Sequence, residues 1–103
     1  MRRGAEHENR FLEAFTGINA SLPAWFRGVR RATPQEDSLG IDALAITVAG
    51  EIPFQIKSSA KSAEEFRREH PGHSAIILVI STRMSGKDIR SLVVESIKDR
   101  FNP

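Results

Sequence analysis

Ile41-Asp42-Ala43-Leu44-Ala45-Ile46-Thr47-Val48, then Ala49-Gly50-Glu51, then Ile52-Pro53-Phe54-Gln55-Ile56-Lys57-Ser58 is the stretch that decides the fold. Two runs rich in apolar and β-branched residues flank a connection with glycine at its middle, the pattern of a β-hairpin. Ile41–Val48 and Ile52–Ser58 are therefore expected as adjacent antiparallel strands, because so short a connection leaves no room for a crossover. Pro53 has no amide donor and belongs near a strand start or on an unpaired side. Side chains two apart on a strand share a face, so Gln55 and Lys57 look one way and Ile52, Phe54 and Ile56 the other.

Working outward, Ala5 to about Ala20 reads as a helix, with Phe11, Leu12, Phe15 and Ile18 at helical spacing until Ser21-Leu22-Pro23 stops it. Trp25–Thr33 reads as a strand of poor alternation, Phe26, Val29 and Ala32 being separated by arginines. Pro34–Gly40 is rich in turn residues and is expected as a loop. After the hairpin, Ala60–His70 reads as a short polar helix turning Ala63 and Phe66 inward, ended by Pro71-Gly72. Ala75–Ile80 is a continuous apolar run, which suits a strand covered on both faces. Ser85-Gly86 opens a last helix to about Phe101, with Ile89, Leu92, Val93 and Ile97 as its stripe. A hairpin followed by a helical crossover implies an α/β mixed sheet with helices packed on it.

The 103 residues suit one small domain, 1–103, with a modest core. Composition is that of a globular protein, 40% hydrophobic and 27% charged, with no apolar run long enough to span a membrane. Met1-Arg2-Arg3-Gly4 lacks the apolar stretch of a signal peptide. Cysteine is absent, which excludes disulfides and thiolate zinc sites and points to a reducing, cytoplasmic setting. A net charge of +2 permits a phosphate-backbone partner without demanding one.

Several polar residues point where apolar ones are expected. Glu8 precedes Phe11, Leu12 and Phe15 at offsets that put it within the apolar stripe, whereas Glu6 and Glu13 fall on the solvated side. Gln55 and Lys57 share one face of a strand inside the sheet, and a covered ammonium needs a partner. Asp42, at the start of the neighbouring strand, is the carboxylate expected to supply it. Such a cluster suits phosphodiester hydrolysis with Mg²⁺ or Mn²⁺, hard cations that take oxygen ligands. Asp42 can ligate directly, Glu8 sends in a second carboxylate, and the Gln55 side-chain oxygen and the Ile56 carbonyl add neutral oxygens. Lys57 can orient a metal-bound water or neutralise developing charge.

Asp37-Ser38-Leu39-Gly40-Ile41-Asp42 with Gln55-Ile56-Lys57-Ser58-Ser59 resembles the PD-(D/E)xK superfamily of restriction-endonuclease-like nucleases, most nearly its small resolvase-type and Mrr-like members. The resemblance implies an αβββαβ core, here with a C-terminal helix. It also implies Asp42 as metal ligand, Lys57 as catalytic lysine and Glu8 as accessory helix glutamate. Gln55 departs from the usual Glu or Asp, removing one negative charge from the site. The implied activity is metal-dependent hydrolysis of DNA, as an endonuclease recognising structure or acting through a partner or a homodimer. The alternative is a non-catalytic module that keeps this fold to bind nucleic acid or protein.

Each residue also has a plainer role open to it. Asp42 and Lys57 can be a buried structural ion pair, and Glu8 a boundary glutamate reaching water. Asp37 is read as a turn or cap residue, with a supporting metal role left open. Ser58 and Ser59 suit a helix cap or a phosphate contact. Arg30 and Arg31 suit a phosphate backbone or a solvated surface. His7, His70 and His73 lack helical metal spacing, and His70 and His73 are expected in a solvated connection.

Overall fold

The computed structural model describes residues 4–16 and 22–101. In chain order the elements are α1 (Gly4–Glu13), β1 (Phe26–Arg31), α2 (Pro34–Ser38), β2 (Ala43–Thr47), β3 (Gly50–Lys57), α3 (Ala60–Glu69), β4 (Ile76–Val79) and α4 (Gly86–Phe101). The four strands form one mixed sheet in the order β1-β2-β3-β4. β1 with β2 and β2 with β3 are antiparallel, and β3 with β4 is parallel. The hairpin and the helical crossover expected from the sequence are both present.

Phe54 carries the core. It is fully buried, with its ring centroid 5.5 Å from that of Phe11 on α1. Ala43, Ala45, Ile52 and Ile56 share its face of the sheet, and Ile89, Val93 and Ile97 of α4 close over it. α3 lies on the opposite face, where the Phe66 ring sits beneath the Lys57 ammonium. The two sets of side chains on β3 are therefore covered by different helices, as strand periodicity requires.

Three expectations need correction, and the poor alternation read for β1 finds its cause. α1 ends at Glu13 in a turn through Thr16, short of Ala20; Ile18, Ala20 and Ser21 lie outside the described residues. β1 alternates poorly because its register shifts between Phe26 and Gly28. Gly28 takes φ 154°, and the extra residue lets Phe26 and Val29, three apart, both reach the core. The stretch expected as a loop, 34–40, holds the short helix α2. Thr33 caps it in a box closed by Glu36, and Pro34 stands in its first turn, so residues that signal a turn here start a helix. Finally, β4, expected to be covered on both faces, lies at a sheet edge, and Ile76, Ile77 and Val79 are only half-buried.

Pro53 fits as its chemistry demands. The Phe54 carbonyl accepts from the Asp42 amide on the β2 side. The alternating backbone therefore turns the Pro53 nitrogen to the other side, where pairing with β4 begins only at Phe54. Among the described residues no helix is long and apolar enough to cross a membrane.

Arg30 ties three segments together. Its guanidinium donates to both carboxylate oxygens of Glu36 at 2.8 and 2.9 Å, and to both of Glu51 at 2.7 and 3.0 Å. The hydrogen bonds from Arg30, with a further one from the Thr33 amide, hold the Glu36 carboxyl down to about 2. A carboxyl depressed in the folded state adds stability at pH values above its ordinary pKa of about 4.5 and loses it as pH falls toward its folded value. Wild type should therefore exceed Glu36→Gln in urea midpoint at neutral pH. That advantage should shrink below pH about 4.5 and vanish near pH 2. A pH-independent difference would show that the Glu36 charge contributes nothing.

Candidate metal centre

β3 brings the unusual polar residues to the sheet's interior. Gln55 is buried and Lys57 half-buried, both on the face toward α3. Asp42, just ahead of β2, is buried and clamps this part of β3 at two points. Its amide donates to the Phe54 carbonyl at 2.8 Å, and its Oδ2 accepts from the Ile56 amide, also at 2.8 Å. These two bonds straddle Gln55. The Lys57 carbonyl accepts from Ile80 on the β4 side, so by backbone alternation the preceding Ile56 carbonyl turns toward the β2 side, as its own amide does. A main-chain oxygen thus lies on the same side of β3 as the Asp42 carboxylate.

Glu8 comes from α1. It is only 6% exposed, while Glu6 and Glu13 on the same helix are exposed, so the inward direction read from helical periodicity holds. Asp37 comes from α2. Glu8, Asp37 and Asp42 each present a carboxylate oxygen, and the three oxygens lie within 4.8 Å of one another. Negative charges this close raise each other's energy unless a cation lies among them. Oxygens on opposite sides of a hard divalent ion stand about 4–5 Å apart, twice the usual metal–oxygen length, so the spacing suits one ion. Arg31 flanks the cluster, with Nη1 3.8 Å from Glu8 Oε1 and Nη2 donating to Asn9 at 2.6 Å.

Gln55 bears on the fit independently. Its Oε1 is buried and has no hydrogen-bond partner among the described residues. A buried acceptor left without a donor costs about 1–3 kcal/mol, a cost that a cation at that atom would remove. The oxygen lies 3.5 Å from where a Cβ on Gly40 would stand, beside the turn joining Asp37 to Asp42. The donor set of carboxylates, one amide oxygen and one carbonyl is all-oxygen, the kind that Mg²⁺ and Mn²⁺ accept.

The other expected residues divide. The Lys57 ammonium stands 4.7 Å from the Phe66 ring centroid, an attractive seat for a cation, while Oδ2 of Asp42 accepts from the Ile56 amide. Arg30, read as suiting a phosphate backbone or a solvated surface, is held by Glu36 and Glu51. Ser59 caps α3, its hydroxyl accepting from the Ser62 amide at 3.1 Å, while Ser58 is exposed beside it. His73 is half-buried with both ring nitrogens engaged, contrary to the solvated connection expected of it. Exposed His70 stacks near Phe66, ring centroids 4.5 Å apart.

Two residues of this region carry a part that the sequence reading gave only as an open possibility, for Asp37, or not at all, for Phe66. Asp37 looks like a turn residue, and it does close a turn, its carbonyl accepting from the Gly40 amide at 3.0 Å. Only the fold brings its carboxylate to those of Glu8 and Asp42. Phe66 reads as core and also serves as the seat of a cation. Comparison with family models, with curated proteins and with solved structures gives no match.

Proposed function

We propose that this chain is a metal-dependent nuclease that hydrolyses phosphodiester bonds in DNA, using a Q-x-K form of the PD-(D/E)xK site. One observation carries the reading. Carboxylates from α1, α2 and the start of β2 meet within 4.8 Å, and Asp42 among them is bonded to the strand that presents Gln55 and Lys57 on one face. Glu8, Asp37 and Asp42 would hold the ion, with the Gln55 amide oxygen and the Ile56 carbonyl as neutral ligands. The ion supplies a more acidic bound water and offsets charge on the phosphate. Lys57 lends a point charge to the phosphate oxygens as negative charge grows on them. The Phe66 ring holds that ammonium at the end of β3. Arg31, at the rim, is available to a neighbouring phosphate. A cytoplasmic site of action belongs to the proposal and is supported by the cysteine-free sequence.

Gln55 also favours a second reading, a nuclease-like module that binds nucleic acid or protein without cutting. A neutral amide offers an ion one oxygen and no charge, so cation binding to the free protein should be weak and strengthened by substrate phosphate. If the chain is a nuclease, Gln55→Glu should tighten Mg²⁺ binding in calorimetry and leave plasmid nicking active. If neither protein binds the ion with DNA present and neither cuts, catalysis is excluded and the binding module remains.

A homodimer is part of the proposal, since cutting both strands symmetrically takes two sites. Phe101 and Val48, each about 60% exposed, border a groove of about 360 Å³ that Trp25, Ile52 and Ile97 also line. Apolar exposure of this kind at the end of α4 suits a subunit contact. Light scattering should give a dimer mass for wild type and a monomer mass for Phe101→Glu. A monomer mass for wild type, with and without DNA, would remove the dimer from the proposal.

A further inference from the structure

We infer that His73 is a positioning residue for the acidic centre: it holds the Leu39–Gly40 turn and thereby sets Asp37 and Asp42 against each other. The inference rests on the proposed metal site for its functional consequence and on the hydrogen bonds of the ring for its geometry.

His73 lies in the connection between α3 and β4. Its Nδ1 is 3.1 Å from the Ala75 amide, which can only donate, so Nδ1 accepts and carries no proton. In the neutral ring the proton is then on Nε2, which donates to the Leu39 carbonyl at 2.8 Å. One imidazole thus ties the connection before β4 to a turn that lies 34 residues before His73 in the chain. The turn it reaches sits midway between two members of the acidic cluster, Asp37 two residues before Leu39 and Asp42 two residues after Gly40.

The turn has little else to hold it from this side. The Leu39 side chain is 68% exposed and anchors nothing. The Leu39 and Gly40 amides are spent within the turn, on the Glu36 and Asp37 carbonyls. Gly40 takes φ 82°, where a side chain is strained, and a Cβ there would stand 2.9 Å from His73 Nε2 and 3.5 Å from both Gln55 Oε1 and the Phe66 ring. His73, Gln55 and Phe66 therefore close on the bare backbone of Gly40. Edge-on contact with Phe66, ring centroids 5.3 Å apart, fixes the plane of the imidazole. With His73 removed, the Leu39 carbonyl loses its donor and the Asp37–Asp42 segment gains freedom at its middle.

The test compares wild type, His73→Phe, which keeps a ring against Phe66 but makes neither hydrogen bond, and His73→Gln, which keeps a donor for the Leu39 carbonyl. Three quantities are read: the urea midpoint, the Mn²⁺ affinity without DNA, and the proton shift of the Ile56 amide, which reports where the Asp42 carboxylate stands. His73→Phe should move the Ile56 resonance and weaken Mn²⁺ binding about tenfold, the worth of roughly one hydrogen bond. His73→Gln should restore part of both, although the two variants have similar urea midpoints. An unmoved Ile56 resonance with unchanged Mn²⁺ affinity in a folded His73→Phe protein overturns the inference. If wild type binds no Mn²⁺, the metal site fails, and the Ile56 resonance still decides whether His73 positions Asp42. If His73→Phe does not fold, nitrogen-detected spectra of wild type decide: a ring protonated at Nδ1 rather than Nε2 overturns the inference.

Discussion

If the chain cuts DNA as proposed, Lys57→Ala should lower cleavage by on the order of a hundredfold or more, the loss seen when a group that stabilises transition-state charge is removed. Lys57 ends β3 with its ammonium over the Phe66 ring. In the proposed reaction that ammonium would face a substrate phosphate. Loss of the contact with Phe66 costs about 0.5–2 kcal/mol of stability at most, so the variant should fold. Nicking rates at saturating metal, with circular dichroism to verify the fold, make the measurement. Unchanged cleavage by a folded Lys57→Ala protein would remove Lys57 from the mechanism.

Phe54→Ala should destabilise the protein by about 3–5 kcal/mol, the usual cost of emptying a phenylalanine site in a packed core. Phe54 has no exposed surface, and its neighbours cannot easily close over the gap. Phe11 packs on it at 5.5 Å, Phe15 packs on Phe11 at 5.9 Å, and Phe26 stacks on Phe15 at 5.0 Å, so a void at Phe54 opens at the head of a row of rings. A small domain has roughly 5–15 kcal/mol in all, and the variant should lose a large part of its urea midpoint. The centre should suffer with it, because the Phe54 carbonyl holds the Asp42 amide. A loss below about 1 kcal/mol would mean that the core is centred elsewhere.

Much of the fold was legible because it rests on local rules. The hairpin through Gly50 follows from two apolar runs and a connection too short for a crossover, and the inward direction of Glu8 follows from helical offsets to Phe11 and Phe15. Legibility failed where a local signal has two outcomes. Thr33-Pro34-Gln35-Glu36 carries the residues of a turn and also of a capped helix, and the capping box between Thr33 and Glu36 selects the helix. The Phe26–Val29 spacing suits neither a flat strand nor a helix until a bulge at Gly28 is allowed. The apolar run at Ile76–Val79 is common to inner strands and to edges with one helix against them, and only strand order separates the two.

By itself the sequence determined which side chains leave each element on which face: Glu8 inward from its helix, Gln55 and Lys57 together on one side of a strand, Phe54 and Ile56 on the other. Those directions follow from the periods of helix and strand, which are properties of the chain over a few residues. Which of these groups meet was decided only by the tertiary structure. Asp37 joins Glu8 and Asp42 because α2 folds between two strands. The Lys57 ammonium meets the Phe66 ring because α3 covers that face of the sheet. His73 reaches the Leu39 carbonyl because the connection before β4 returns to the turn ahead of β2. Such meetings depend on how whole elements pack, and no period within the chain encodes them.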